Sequence, residues 1–188
     1  MSSWYDNEAI YNPLKNLAAN LMPVQRLVSG AAYVLGLGFF IKAVISLKSL
    51  GESRAMMSGG GHSMKEPLVY FLVASVFIYL PTAISTVLTT TFGSSSILQY
   101  ASINSQNGSL SSLFGPDSNV GQSLSIIIQT IGLVAFVRGW ILIARSASQG
   151  QQPGGVGKGL VHIFGGILAM NIVLTLQIID NTLYGTTG

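Results

Sequence analysis

The chain has 188 residues, of which 49% are hydrophobic and only 8% charged, with a formal net charge of +3 and no cysteine. So small a charged fraction cannot cover a water-facing surface, and the mean hydropathy of +0.55 agrees. Lack of cysteine excludes a disulfide framework, a thiolate zinc site and a thiol nucleophile, while the nine Lys and Arg stand singly and form no basic patch for nucleic acid.

Residues 1–26 read as an N-terminal interfacial segment. They carry Asp6 and Glu8 but no basic stretch or apolar run, which does not match a cleavable signal peptide, so the first apolar run is expected to serve as an uncleaved anchor. Trp4, Tyr5 and Tyr11 supply interfacial aromatics, and Ile10, Leu14, Leu17 and Leu21 recur at helical spacing, which predicts a short helix over 13–22 on the membrane surface.

Residues 27–92 are expected to form a transmembrane hairpin from the apolar runs 27–47 and 68–88, and residues 123–188 a second from 124–144 and 160–179. At about 1.5 Å per residue each run crosses about 30 Å of hydrocarbon, and each must be helical because lipid leaves backbone groups no other partner. Pro81 removes a donor inside the second run and predicts a kink near Tyr79 and Leu80. Between the hairpins, residues 93–122 are rich in Ser, Asn, Gln and Gly with Asp117 as their one charge, and read as a polar periplasmic loop. The expected fold class is an all-α membrane protein with about four transmembrane helices in two tandem hairpins.

Cations set the orientation. Lys48, Arg54 and Lys65 fall in the first connector and Arg145 and Lys158 in the second, whereas residues 89–123 and everything after Lys158 hold none. Both connectors, with their runs Gly59-Gly60-Gly61 and Pro153-Gly154-Gly155, are therefore expected in the cytoplasm and both termini on the outer side of the membrane. The halves also resemble each other. Leu35-Gly36-Leu37 and Ile41-Lys42-Ala43 align with Ile131-Gly132-Leu133 and Val137-Arg138-Gly139, and Lys65 with Lys158, as a duplicated hairpin would.

Chemistry-bearing motifs are scarce. Gly155-Val156-Gly157-Lys158 lacks the glycine that a phosphate loop needs at Gln152 and the hydroxyl it needs at Gly159, so it reads as a turn. His62 and His162 have no accompanying ligands, Asn107-Gly108-Ser109 reads as a turn rather than a glycosylation acceptor, and neither cofactor nor metal is implied. Lys42 and Arg138 lie inside apolar runs, where a cation snorkels to the basic end, lines a polar passage or meets another subunit. Small residues four apart, at Ala32 and Gly36, Ala135 and Gly139, and Gly165 and Ala169, offer flat faces for helix packing within the chain or between subunits. Polar candidates within the spans are Ser75, Gln129, Thr130 and Asn171, none acidic, which argues against a cation-coupled carrier.

Three stretches carry a family resemblance: Gly38-Phe39-Phe40-Ile41-Lys42-Ala43 leading into Leu50-Gly51-Glu52-Ser53-Arg54, Lys65-Glu66-Pro67-Leu68-Val69-Tyr70-Phe71, and Ile78-Tyr79-Leu80-Pro81-Thr82. Over residues 24–90 the chain resembles the DotE or IcmC membrane proteins of Dot/Icm type IVB secretion systems and their TraQ-like conjugation counterparts, with DotV and IcmD as related alternatives. The resemblance implies a non-enzymatic inner-membrane subunit, structural or channel-forming, of a machine exporting proteins or DNA. Its expected partners are other secretion-system membrane subunits and the lipid bilayer, in a homo- or hetero-oligomer. A pilin-like polymerising subunit and a small-molecule transporter are the competing expectations.

Overall fold

The computed structural model describes residues 7–55, 64–93, 108–115, 118–148 and 154–185, and every regular element among them is an α-helix. Trp4, Tyr5, His62, the first triple-glycine run, Asn107, Asp117 and Pro153 lie outside the described residues. Among the described residues seven helices follow in chain order: α1 (Asn7–Ala55), α2 (Lys65–Ile78), α3 (Leu80–Phe92), α4 (Gly108–Phe114), α5 (Asn119–Ala147), α6 (Gly155–Met170) and α7 (Ile172–Tyr184).

Helix α1 runs unbroken for 49 residues, through Pro13 and Pro23. The short interfacial helix expected over 13–22 is therefore not a separate element; its residues are turns of α1, and no break falls between Arg26 and Leu27. Each proline removes one backbone donor, but both are exposed, so the carbonyl that loses its partner is not sealed in an apolar core. A narrow stripe of Ala18, Ala32, Gly36, Ala43 and Leu50, at successive spacings of fourteen, four, seven and seven, is buried along the helix. Leu17 of the expected apolar stripe is instead half-exposed, and the buried face there is that of Ala18. At about 1.5 Å per residue α1 is about 70 Å long, more than twice the hydrocarbon thickness of about 30 Å.

By length and composition, α1 and α5 can each cross a membrane; counting each bent pair, α2 with α3 and α6 with α7, as one span gives up to four. Both pairs bend by 90°. At the first bend Tyr79 leaves helical geometry (φ −105°, ψ 32°) and its N–H still reaches Ser75 O at 3.1 Å. Pro81 explains why the ladder stops: it brings no N–H for Phe77 O, and its ring crowds that carbonyl. The second bend has no proline. Asn171 adopts φ −126°, ψ 57°, and the Thr175 hydroxyl lies 2.9 Å from both Leu168 O and Asn171 O, so its proton serves carbonyls that the interrupted ladder releases.

Both halves thus share an order, a long helix followed by a bent pair; Tyr79 follows Lys65 by 14 residues and Asn171 follows Lys158 by 13. The segment expected as an irregular loop over 93–122 contains α4 and the start of α5. Ser118 caps α5: its Oγ accepts the Gly121 N–H at 3.0 Å and donates to Leu113 O at 2.6 Å. The sequence Gly155-Val156-Gly157-Lys158, expected as a turn, is the first turn of α6.

The chain divides into two compact units that cut across its halves: a first unit of Met1–Arg26, Ser85–Leu133 and Gly166–Gly188, and a second of Leu27–Ile84 and Val134–Gly165. In the first, Phe114 and Val173 form a small apolar core with Leu110, Leu124, Ile172 and Leu176 around it. In the second, Phe39 stacks with Tyr70 at 6.0 Å between ring centroids and meets Phe77, and Phe40 meets Phe71 edge-on.

Candidate functional site

Glycine decides the closest helix contacts. In the second unit, a Cβ on Gly36 would sit 3.0 Å from both Ile78 N and Phe77 Cβ, so α1 and α2 touch there almost backbone to backbone. A Cβ on Gly139 would lie 2.6 Å from Ile163 Cγ1 and 2.7 Å from Gly159 O; one on Gly159 would lie 2.7 Å from Ile143 Cγ1 and 2.8 Å from Gly139 O. This reciprocity is that of an antiparallel α5–α6 seam on which no side chain fits at either position. In the first unit, Gly132 makes a similar approach, where a Cβ would be 2.7 Å from Met170 N and 2.8 Å from Gly166 O.

Of the small residues singled out in the sequence, Ala32, Gly36 and Gly139 are buried, and Ala135 and Ala169 are partly buried. Gly165 faces open space, with no atom within 4 Å of where its Cβ would be. The glycines that the four-residue spacing missed are Gly132, Gly159 and Gly166. They repeat at seven, 132 with 139 and 159 with 166, and a search at heptad spacing would have found them.

The two cations within the apolar runs, Lys42 and Arg138, have different surroundings. Lys42 Nζ stands 4.7 Å from the centroid of the Tyr70 ring, a cation–π contact, and the buried Tyr70 hydroxyl shares a 2.5 Å hydrogen bond with Ser148 Oγ. Tyr70 therefore joins α1, α2 and the end of α5. Arg138 is exposed and has no ion pair, hydrogen bond or ring contact among the described residues. His162 donates from Nδ1 to Lys158 O at 2.8 Å, because the carbonyl can only accept, and no group of three or more His, Asp or Glu that could hold a metal stands among the described residues.

Buried polar side chains gather in the first unit: Ser123, Ser125, Gln129, Thr130, Asn171 and Asp180. Gln25 donates to Thr130 Oγ1 at 2.8 Å, and that hydroxyl donates to Ile126 O, tying α1 to α5. Ser125 Oγ, Gln129 Oε1 and Asn171 Nδ2 are buried with no hydrogen-bond partner among the described residues. Gln129, Thr130 and Asn171 were legible as polar interruptions of apolar runs; Ser75 is exposed and bonds its own helix at Leu72 O. Asp180 was missed because it directly follows the last apolar run, and the structure continues that helix four residues past it.

Comparison with family models, with curated proteins and with solved structures finds no match.

Proposed function

We propose that the chain is a non-enzymatic multi-pass subunit of a bacterial inner-membrane complex, of the type IVB secretion or conjugation kind. The observation that carries the membrane part is the pair of long apolar helices, each followed by a helix pair bent at 90°, with apolar side chains such as Leu27, Val34, Ile41, Ile45 and Ile131 turned outward. The secretion part rests on the resemblance of residues 24–90 to DotE- and IcmC-like proteins. A scaffold or channel subunit needs rigid helix packing rather than reactive groups, and the glycine contacts at Gly36, Gly139 and Gly159 supply it.

Affinity purification of the tagged chain in mild detergent, with mass spectrometry of its companions, tests the reading. Recovery of secretion-system membrane subunits, together with lost export on deletion, is the expected result; recovery of the chain alone with export intact overturns it. For orientation, both termini are assigned to the periplasm and the ends at Lys48 and Arg145 to the cytoplasm. A cysteine at Thr91 should then react with an impermeant thiol reagent in intact cells and one at Gly51 should not.

A small-molecule transporter is the second reading. It is favoured by the break at Asn171 and by the polar interior with Gln129 and Asp180, since bent helices and buried polar groups in a membrane protein commonly mark a binding site.

A further inference from the structure

The α5–α6 seam fixes the relative rotation of two cations. Gly139 and Gly159 face each other across the antiparallel pair. Arg138 and Lys158 each stand one residue before their seam glycine, and one residue is about 100° of rotation on a helix of 3.6 residues per turn. Because the two helices run in opposite directions, the same step takes both side chains to the same flank of the pair. Arg138 and Lys158 therefore border one shallow trough whose floor is glycine, and both are exposed. Arg145, seven residues past Arg138, lies on that flank too and is also exposed. Val134, one turn before Arg138 and 47% exposed, continues the flank as apolar surface away from the basic end.

These charges have no counter-ion from their own elements, for neither α5 nor α6 contains an acidic residue. Glu52 is engaged with Lys48 at 3.7 Å. The nearby cation Lys42 rests on an aromatic ring of the chain, whereas Arg138 does not.

We propose that this flank binds the headgroup phosphate of an anionic phospholipid, held between Arg138 and Lys158 with Arg145 above it, its acyl chain running along Val134. The site rests on the membrane reading but not on secretion. An anionic amphiphile fits because three cations and an apolar strip share one face, the complement of a charged headgroup on a hydrocarbon tail.

The test uses the full chain in nanodiscs of mixed phosphatidylcholine and phosphatidylglycerol, followed by gentle extraction and native mass spectrometry of the retained lipid. Phosphatidylglycerol should be retained in preference, the preference falling about five-fold for each charge removed in Arg138→Gln or Lys158→Gln. Arg138→Lys, and Lys48→Gln on another helix, should keep it. A double Gln variant with undiminished preference overturns the site, and an equal loss in Lys48→Gln reduces it to general surface charge. Displacement by inorganic phosphate would make it a free-anion site, and cross-linking of position 138 to an acidic protein with no lipid retained would make it a subunit contact; either overturns the lipid assignment. A chain that stays out of the discs overturns the membrane reading and this site with it.

Discussion

In the second unit the buried side chains are apolar, from Ala32 and Ala43 through Val73 and Phe77 to Phe136 and Ala144, with the Tyr70 hydroxyl bonded to Ser148. In the first, Ser125, Gln129, Thr130, Asn171 and Asp180 share the interior with Phe114 and Val173. The short arms past each bend also differ, although α3 from Ser85 onward belongs to the first unit, as all of α7 does. Helix α3 buries Leu80, Ile84 and Leu88 and exposes Thr82, Thr86, Thr89 and Thr90, whereas α7 buries Asp180 and exposes Ile178, Ile179 and Leu183. Helix α3 is amphipathic in the ordinary sense, apolar inward; α7 packs Val173 inward in its first turn but farther along turns Ile178, Ile179 and Leu183 outward, which suits an environment of lipid or of a neighbouring subunit. Apolarity alone therefore separates neither unit, since both draw on equally hydrophobic runs; what separates them is the polar group every few residues on the buried face.

The largest expected effect strikes the glycine seam of the second unit. Gly139→Leu must displace Ile163 and the Gly159 carbonyl, and overpacking of this kind costs about 1–3 kcal/mol or more. Thermal unfolding in detergent should show the loss, with the chain still inserted. Gly165→Leu, into open space, should move stability by less than about 0.5 kcal/mol. Equal effects at both positions would mean that the seam lies elsewhere.

How much of this was legible follows from which physical signal each feature leaves. Runs of twenty apolar residues and a proline leave strong signals, so helical spans and an interruption near Tyr79 could be read from the sequence. The Asn171 bend could not, because nothing in Ala169-Met170-Asn171-Ile172 forbids a continuing helix. The continuity of α1 was hidden for the opposite reason: Pro23 suggests a stop, yet proline at an exposed position is tolerated when the rest of the helix is held by a long stripe of small residues. Glycine contacts were half-legible, since the residue type was right but the period was seven rather than four. The difference between the units was not legible, because polar residues in an apolar run reveal their presence but not whether they face inward.

A medium effect should come from the polar interior of the first unit. Gln129→Leu and Asn171→Leu each remove a buried atom that has no partner within the described chain, and relief of that desolvation should raise stability by about 1–3 kcal/mol. Higher unfolding midpoints with impaired export or transport would mark the groups as retained for function. Lower midpoints would show that the amides are bonded in the membrane, by water or by a neighbour, and would draw the two units closer in character.

The smallest effect concerns Tyr70, whose buried hydroxyl meets Ser148 while its ring lies beneath the exposed Lys42. Tyr70→Phe keeps the ring beneath Lys42 and removes only the bond to Ser148, for a loss of about 0.5–1.5 kcal/mol. Tyr70→Leu removes the ring as well and should cost more, through lost area and through a cation–π contact worth about 0.5–2 kcal/mol. If Lys42 depends on that ring, Lys42→Gln should destabilise the native chain yet have almost no further effect in the Tyr70→Leu background, a coupling that unfolding midpoints of the four proteins would reveal. Additive losses would mean that Lys42 is held by the bilayer instead. Arg138→Gln, lacking any such ring, should be neutral in detergent free of anionic lipid, so the two repeated cations would part ways: one serves the fold, the other what binds to it.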